Sequence, residues 1–222
     1  MAKLFMPLTL SEATTPMWKS AHPIFMILTG VDSVADYKLE PFPFLWGRER
    51  YFGDNYLDII STQAIVSIAI PRGSEEVFSS EFTNAFGTYP PEPEHSVFST
   101  NRDFLFLWMS PDQVFALFER AGLYPELTVR EKLGDTGYIT DQTDNWCQIR
   151  LTGPDIIQAM ERICPLDLNQ FPVGKCARTV MEHLSSVLVR ESDESFLLLS
   201  PSSSAQSFLE AIEQSFLNTG DY

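Results

Sequence analysis

The chain is poor in positive charge. Only 15 lysines and arginines stand against 30 aspartates and glutamates, a net charge of −15 over 222 residues. A binder of the nucleic-acid backbone needs basic clusters to displace counterions, so that class is excluded. Cysteine is scarce too, with three residues, Cys147, Cys164 and Cys176, and no C-x-x-C pair. Three thiols cannot all pair, and a reduced, cytoplasmic protein is the expectation. His22, His95 and His183 are scattered and lack the spacing of zinc ligands. No apolar run approaches the roughly 20 residues of a bilayer span. The opening "MAKLFMPLTLSEATTPMW" meets a serine, an acid and a proline too early for a secretory apolar region. Also missing are a G-x-G-x-x-G after a strand, a G-x-x-x-x-G-K-[ST], an H-E-x-x-H and a G-x-S-x-G. Dinucleotide, phosphate-loop, zinc-protease and serine-hydrolase readings therefore have no motif to stand on.

What is present is an ordinary globular composition, 44% apolar. A domain above about 150 residues buries roughly 70% of the surface its unfolded chain exposes. The acidity reads either as a solvated surface or as a face for a basic partner. The first stretch, residues 1–56, is expected to be irregular and packed on the domain that follows, because Pro7, Pro16, Pro23, Pro41 and Pro43 break any long element. Within it "HPIFMILTG" suits one short strand. "PFPFLWGRERYFG" (41–53) carries five aromatics, Phe42, Phe44, Trp46, Tyr51 and Phe52. They either line the edge of the core or anchor a partner, since aromatics are enriched where interfaces are tightest.

Beyond residue 57 a pattern repeats. "DIISTQAIVSIAIPRGSEEVF" (58–78) aligns with "YITDQTDNWCQIRLTGPDIIQ" (138–158) at an offset of 80. Each reads as strand, polar turn, strand, then a glycine opening a helix with acids in its first turn, a placement the helix dipole favours. Those helices are expected over 74–86 and 153–163, with one-sided apolar faces. "LFLWMSPDQVFALF" (105–118) falls over "SVLVRESDESFLLL" (186–199). The second is a hairpin around "ESDES". The first also resembles a helix start at Ser110–Pro111–Asp112–Gln113, and the repeat selects the hairpin. Helices over 125–134 and 202–217, the latter capped by serines, close the two halves. The expected fold class is α+β, an internally duplicated ββα–ββα domain over 57–222 with halves 57–134 and 137–217.

No residue constellation assembles a catalytic site. The serines of "SPSSSAQS" read as a helix cap. His183 sits on or beside a strand, alone. Asp141 and Asp144 are paired carboxylates in a turn, where such residues bond their own backbone. Lys175 adjoins Cys176 and would lower its thiol pKa, but consecutive strand residues point to opposite faces, so Cys176 reads as a small buried hydrophobe.

The segments Thr140–Asp144, "LTGP" (Leu151–Pro154), "CPLDL" (Cys164–Leu168) and "FPVGKC" (Phe171–Cys176, a strand start) resemble the gamma subunit of heterotetrameric sarcosine oxidase. So does "LWMSPD", at Leu107, Trp108, Pro111 and Asp112. The resemblance spans about residues 57–217. It implies a fold like the folate-binding domain of aminomethyltransferases, and a non-catalytic subunit with no cofactor of its own. It implies larger alpha and beta partner subunits carrying FAD, FMN, NAD and folate, with zinc on a small delta subunit. The complex would oxidatively demethylate an N-methyl amino acid. The competing expectation is a stand-alone folate-dependent one-carbon transferase. The partner-interface candidates are Phe42, Phe44, Trp46, Tyr51 and Phe52, with neither nucleic acid nor membrane as a partner.

Overall fold

The computed structural model describes Leu45 and residues 49–220. Among the described residues, regular structure begins with a hairpin, β1 (Arg50–Phe52) and β2 (Asn55–Ile60), so five residues expected to be irregular belong to the sheet. The six-stranded first sheet has the order β1-β2-β8-β11-β10-β9. Its other members are β8 (Trp146–Thr152), β9 (Cys176–Met181), β10 (Leu184–Ser192) and β11 (Ser195–Pro201). The five-stranded second sheet has the order β4-β5-β6-β3-β7. It contains β3 (Gln63–Ala69), β4 (Ser96–Phe98), β5 (Phe104–Ser110), β6 (Gln113–Glu119) and β7 (Tyr138–Asp141). All its pairings and those of the first sheet are antiparallel.

Among the described residues, four helices cover the outer faces: α1 (Glu75–Phe86), α2 (Pro125–Leu133), α3 (Ile156–Met160) and α4 (Ala205–Leu217). Alternation along the strands splits the apolar residues into three cores. One lies between the first sheet and α3 and α4, and includes Leu57, Ile149, Leu198, Phe208 and Phe216. A second lies between the second sheet and α1 and α2. The third, with Ile65, Leu107, Leu117, Val189 and Leu197, lies between the sheets. The layers are therefore helix, sheet, sheet, helix. In the second core Phe78, Phe82 and Phe86 recur every four residues along one face of α1. Phe82 and Phe86 each meet Phe106 at 4.6 Å between ring centroids.

The two halves follow the same order of elements. β2–β3–α1–β4–β5–β6–α2 matches β7–β8–α3–β9–β10–β11–α4. The ββα formula omits an edge strand before each hairpin, β4 and β9. The leading pair of strands is also not a hairpin. β2 pairs with β8 in the first sheet, while β3 pairs with β7 in the second. Each half thus lends its first strand to the other half's sheet.

Two local expectations change, and a third, the hairpin over 105–118, is found as expected. The helix over 153–163 shrinks to Ile156–Met160. Gly153 has φ +146, and Asp155 is tied to Asn55 at its N-terminal end. At the other end both Ile163 and Cys164 donate their amides to the Met160 carbonyl, and the helix stops before Pro165. The serines before α4 form a short 3₁₀ turn, and Ser204 makes no side-chain cap bond. The segment 105–118 is the hairpin β5–β6, where Ser110 Oγ donates to Asp112 Oδ1 at 2.6 Å and closes the turn.

Candidate functional site

The three thiols lie inside the cores. Cys147 and Cys164 belong to the core under α3 and α4, and Cys176 to the core between the sheets. Burial raises the Cys147 and Cys176 thiols to about 12. Burial also raises Cys164, against a weaker lowering by the Leu166 backbone. A thiol held protonated is neither nucleophile nor metal ligand. Cys176 Sγ donates weakly to the Trp108 carbonyl at 3.7 Å. The Nζ of Lys175 goes the other way, to Glu94 at 3.0 Å. The alternation that separates these neighbours operates as the strand pattern requires.

The remaining sequence candidates hold turns together. Asp141 Oδ1 accepts from the Thr143 amide at 2.9 Å and from its hydroxyl at 2.6 Å. Thr143 Oγ1 in turn accepts from the Ile65 amide, joining β3 to the turn after β7. Asp144 lies 3.7 Å from Arg120 at the surface. His183 occupies the two-residue turn between β9 and β10, where it and Glu182 both have positive φ. None of these groups converges on another across a cavity.

The groups that do converge lie where the layer between the sheets opens at one end. A cleft of about 540 Å³ is lined by Gln63, Leu105, Leu117 and Glu119 of the second sheet and by Arg150 and Glu191 of the first. Register explains the meeting. Gln63 follows the face of Ile65, and Glu119 that of Leu117, so both look inward from the second sheet. Arg150 and Glu191 occupy the facing side of the first sheet. They form a two-point ion pair, with Nε to Oε2 at 2.6 Å and Nη2 to Oε1 at 3.0 Å. The hydrogen bond to Glu191, helped by the charges of Glu191 and Asp58, raises the Arg150 guanidinium pKa against the opposing effect of desolvation. On the rim Arg102 stacks over the Phe98 ring at 4.3 Å. Gln63 Oε1 is buried there with no hydrogen-bond partner among the described residues.

The same face of the first sheet continues outward from the cleft. Tyr56 and Asp58 pair with Thr152 and Arg150, so all four side chains share one side. Tyr51 lies opposite Tyr56, with ring centroids 4.6 Å apart, and is 78% exposed. Phe52, its neighbour, points the other way. It is 7% exposed and stacks on Phe216 at 4.8 Å. Phe52 is a core residue of the layer under α4. Phe42, Phe44 and Trp46 lie outside the described residues. The cleft itself escaped the sequence, because its residues are dispersed from 63 to 191 and only register brings them together.

A curated relative, the sarcosine oxidase gamma subunit of Arthrobacter sp, is 29% identical over 118 residues, which is 52% of this chain and 58% of the relative. The chain is similar to a sarcosine oxidase gamma subunit. It spans somewhat more than half the length of that curated relative. Among solved structures, a chain of the heterotetrameric sarcosine oxidase from Corynebacterium sp. U-96 superposes with a TM-score of 0.65 at 18% identity. That match covers 76% of this chain and 86% of the other. Glycine cleavage system aminomethyltransferase T from Bartonella henselae gives 0.54 at 13% identity, over 72% of this chain and 45% of the other. At these identities both likenesses establish the fold, and the expected α+β, aminomethyltransferase-like class is the one found. No family model matches the chain.

Proposed function

We propose that this chain is a non-catalytic, gamma-type subunit of a sarcosine-oxidase-like complex that oxidatively demethylates an N-methyl amino acid. The similarity to the Arthrobacter gamma subunit carries this reading. The chain would support the folded state and alignment of larger alpha and beta subunits, which would carry FAD, FMN, NAD and folate. The burial of all three thiols is consistent with a supporting role. So is the engagement of Asp141 in a turn. The same reading takes the matched order of seven elements in each half as an internal duplication, and Tyr51, with the aromatics before it, as part of the surface that meets a partner.

Co-expression with candidate large subunits tests the proposal. The expected result is a yellow complex that keeps this chain through size exclusion. A chain that elutes alone beside an assembled, active flavoprotein would sink it. Calorimetry with tetrahydrofolate tests the competing transferase reading. The proposal expects no heat from the isolated chain, and tight saturable binding would favour the transferase.

A further inference from the structure

Among the described residues, no layer covers the outer part of the first sheet's inward face at its β1–β2 end. Tyr51 is largely exposed there, and the strip runs through Tyr56 and Asp58 to the cleft at Arg150 and Glu191. Its charge is one-sided. Glu49 and Asp58 flank Tyr56, whose hydroxyl is raised by burial first and then by the Asp58, Tyr51 and Glu49 charges. Asp103, Glu119 and Glu191 line the cleft. Against these five carboxylates stand two guanidiniums. Arg150 is committed to Glu191, and Arg102 lies on Phe98. The Glu119 carboxylate has no ion pair among the described residues, and the buried Gln63 Oε1 still lacks a donor. An exposed tyrosine packed against a half-buried one, an apolar cleft floor of Leu105 and Leu117, and unspent acceptors together suit a polypeptide that brings N–H donors on apolar stems.

We propose that this strip, from Tyr51 to the mouth of the cleft between the sheets, is the docking site for a basic segment of a partner polypeptide. An arginine or lysine of that segment enters the cleft between Glu119 and Gln63, and an apolar neighbour packs on Tyr51 and Tyr56. The inference deepens the proposed subunit role and rests on it for the identity of the partner. The chemistry of the strip does not depend on that role. A basic side chain satisfies the orphaned acceptor and the carboxylates at once. An acidic or wholly apolar partner would bury them unpaired, at a cost.

Two arms test this. In the first, the complex with the large subunits is made with wild type, Glu119→Lys, Tyr51→Ala and the control Glu81→Lys, which makes the same charge change on the exposed side of α1. Glu119→Lys and Tyr51→Ala should each weaken the complex about tenfold, Glu81→Lys less than about twofold, and wild-type affinity should fall as salt rises. Unchanged melting temperatures of the free variants exclude misfolding. In the second arm, the isolated full chain is titrated with acetyl-Trp-Arg-Leu-Arg-amide and with acetyl-Trp-Glu-Leu-Glu-amide under NMR. The basic peptide should shift Tyr51 and the Gln63 side-chain amide, the acidic one should not, and Glu119→Lys should abolish the response. A wild-type complex that Glu119→Lys and Tyr51→Ala leave intact overturns the inference while the subunit role stands. Absence of any wild-type complex, with the peptide preference intact, overturns the role and keeps the strip. Equal or absent response to both peptides overturns the strip.

Discussion

Asn55 is completely buried, and a set of hydrogen bonds keeps it there. Its Nδ2 donates to the Phe52 carbonyl at 3.0 Å and to Asp155 Oδ2 at 3.1 Å, while its Oδ1 accepts from the Asp155 amide at 2.9 Å. One side chain thus fastens the β1–β2 turn, 100 residues away in sequence, to the start of α3. Removing it leaves buried polar groups without partners, so Asn55→Ala should cost about 2 kcal/mol in chemical denaturation. The facing Gly153 admits no side chain. A Cβ there would fall 2.5 Å from Asn55 Oδ1 and 2.7 Å from its Cα. Gly153→Ala should therefore damage the same clasp, read as a lowered melting temperature with early loss of the β1–β2 hairpin in hydrogen exchange. The thiols give a pH signature. Cys147 and Cys176 keep their protons to about 12 when folded, whereas unfolded thiols ionise near 8.5. Between those limits the unfolded state binds fewer protons, so stability contributed by these residues is whole below the lower value and is lost as pH rises toward the upper one. The double variant Cys147→Ala/Cys176→Ala should show a shallower decline above pH ~9 than wild type in parallel denaturation curves.

At the level of elements, the β9–β10 turn and the face of α1 make opposite predictions. Glu182 and His183 hold φ values of 47° and 66°, a geometry that tight hairpin turns give to asparagine and glycine. Left-handed backbone costs an ordinary residue roughly 1 kcal/mol. Glu182→Asn/His183→Gly should accordingly raise the melting temperature. Phe82 is fully buried under the second sheet, and Phe82→Ala should cost about 3–5 kcal/mol by equilibrium unfolding. The periodicity of Phe78, Phe82 and Phe86 made that helix legible in advance, because one-sided burial writes itself into spacing. The β10–β11 hairpin was legible from its two strand-like runs around a polar turn, and β5–β6 only through the repeat that aligns it with β10–β11. α3 was not, since its length is set by the Asn55 clasp and by Pro165, neither of which alters the apolar pattern of "DIIQAM". β4 has three residues, too few for a period. The docking strip was half legible. Clustering singled out Tyr51 and Phe52, but only the register of β1 against β2 tells which of two adjacent rings faces solvent. The cleft residues Gln63, Glu119, Arg150 and Glu191 carry no local signal, for each is an ordinary polar residue in or at the end of a largely apolar strand.

Over the whole molecule, surplus negative charge and the layered cores act at different ranges. The charge of −15 works beyond contact distance and is screened by salt within about 10 Å at 0.1 M. It should hasten encounter with a basic partner at low ionic strength more than it slows dissociation. Stopped-flow association of the complex should slow as salt rises while the dissociation rate moves less. Among the described residues no helix is long and apolar enough to cross a membrane. The cores provide cohesion, with two helix-covered layers and one shared layer between the sheets.

The crossing of β2 into the first sheet and β7 into the second has a consequence for how the chain comes into being. Ile59 meets Ile149, and Ile68 meets Ile139. Closing those ladders brings together positions far apart in the chain, a topology that slows folding. During synthesis the first half must wait, its inner strand open on one edge, until β7 has left the ribosome. Cut between the halves, each fragment would carry a strand it cannot place and lack one it needs. The pair should behave as a split protein, silent apart and folded when mixed.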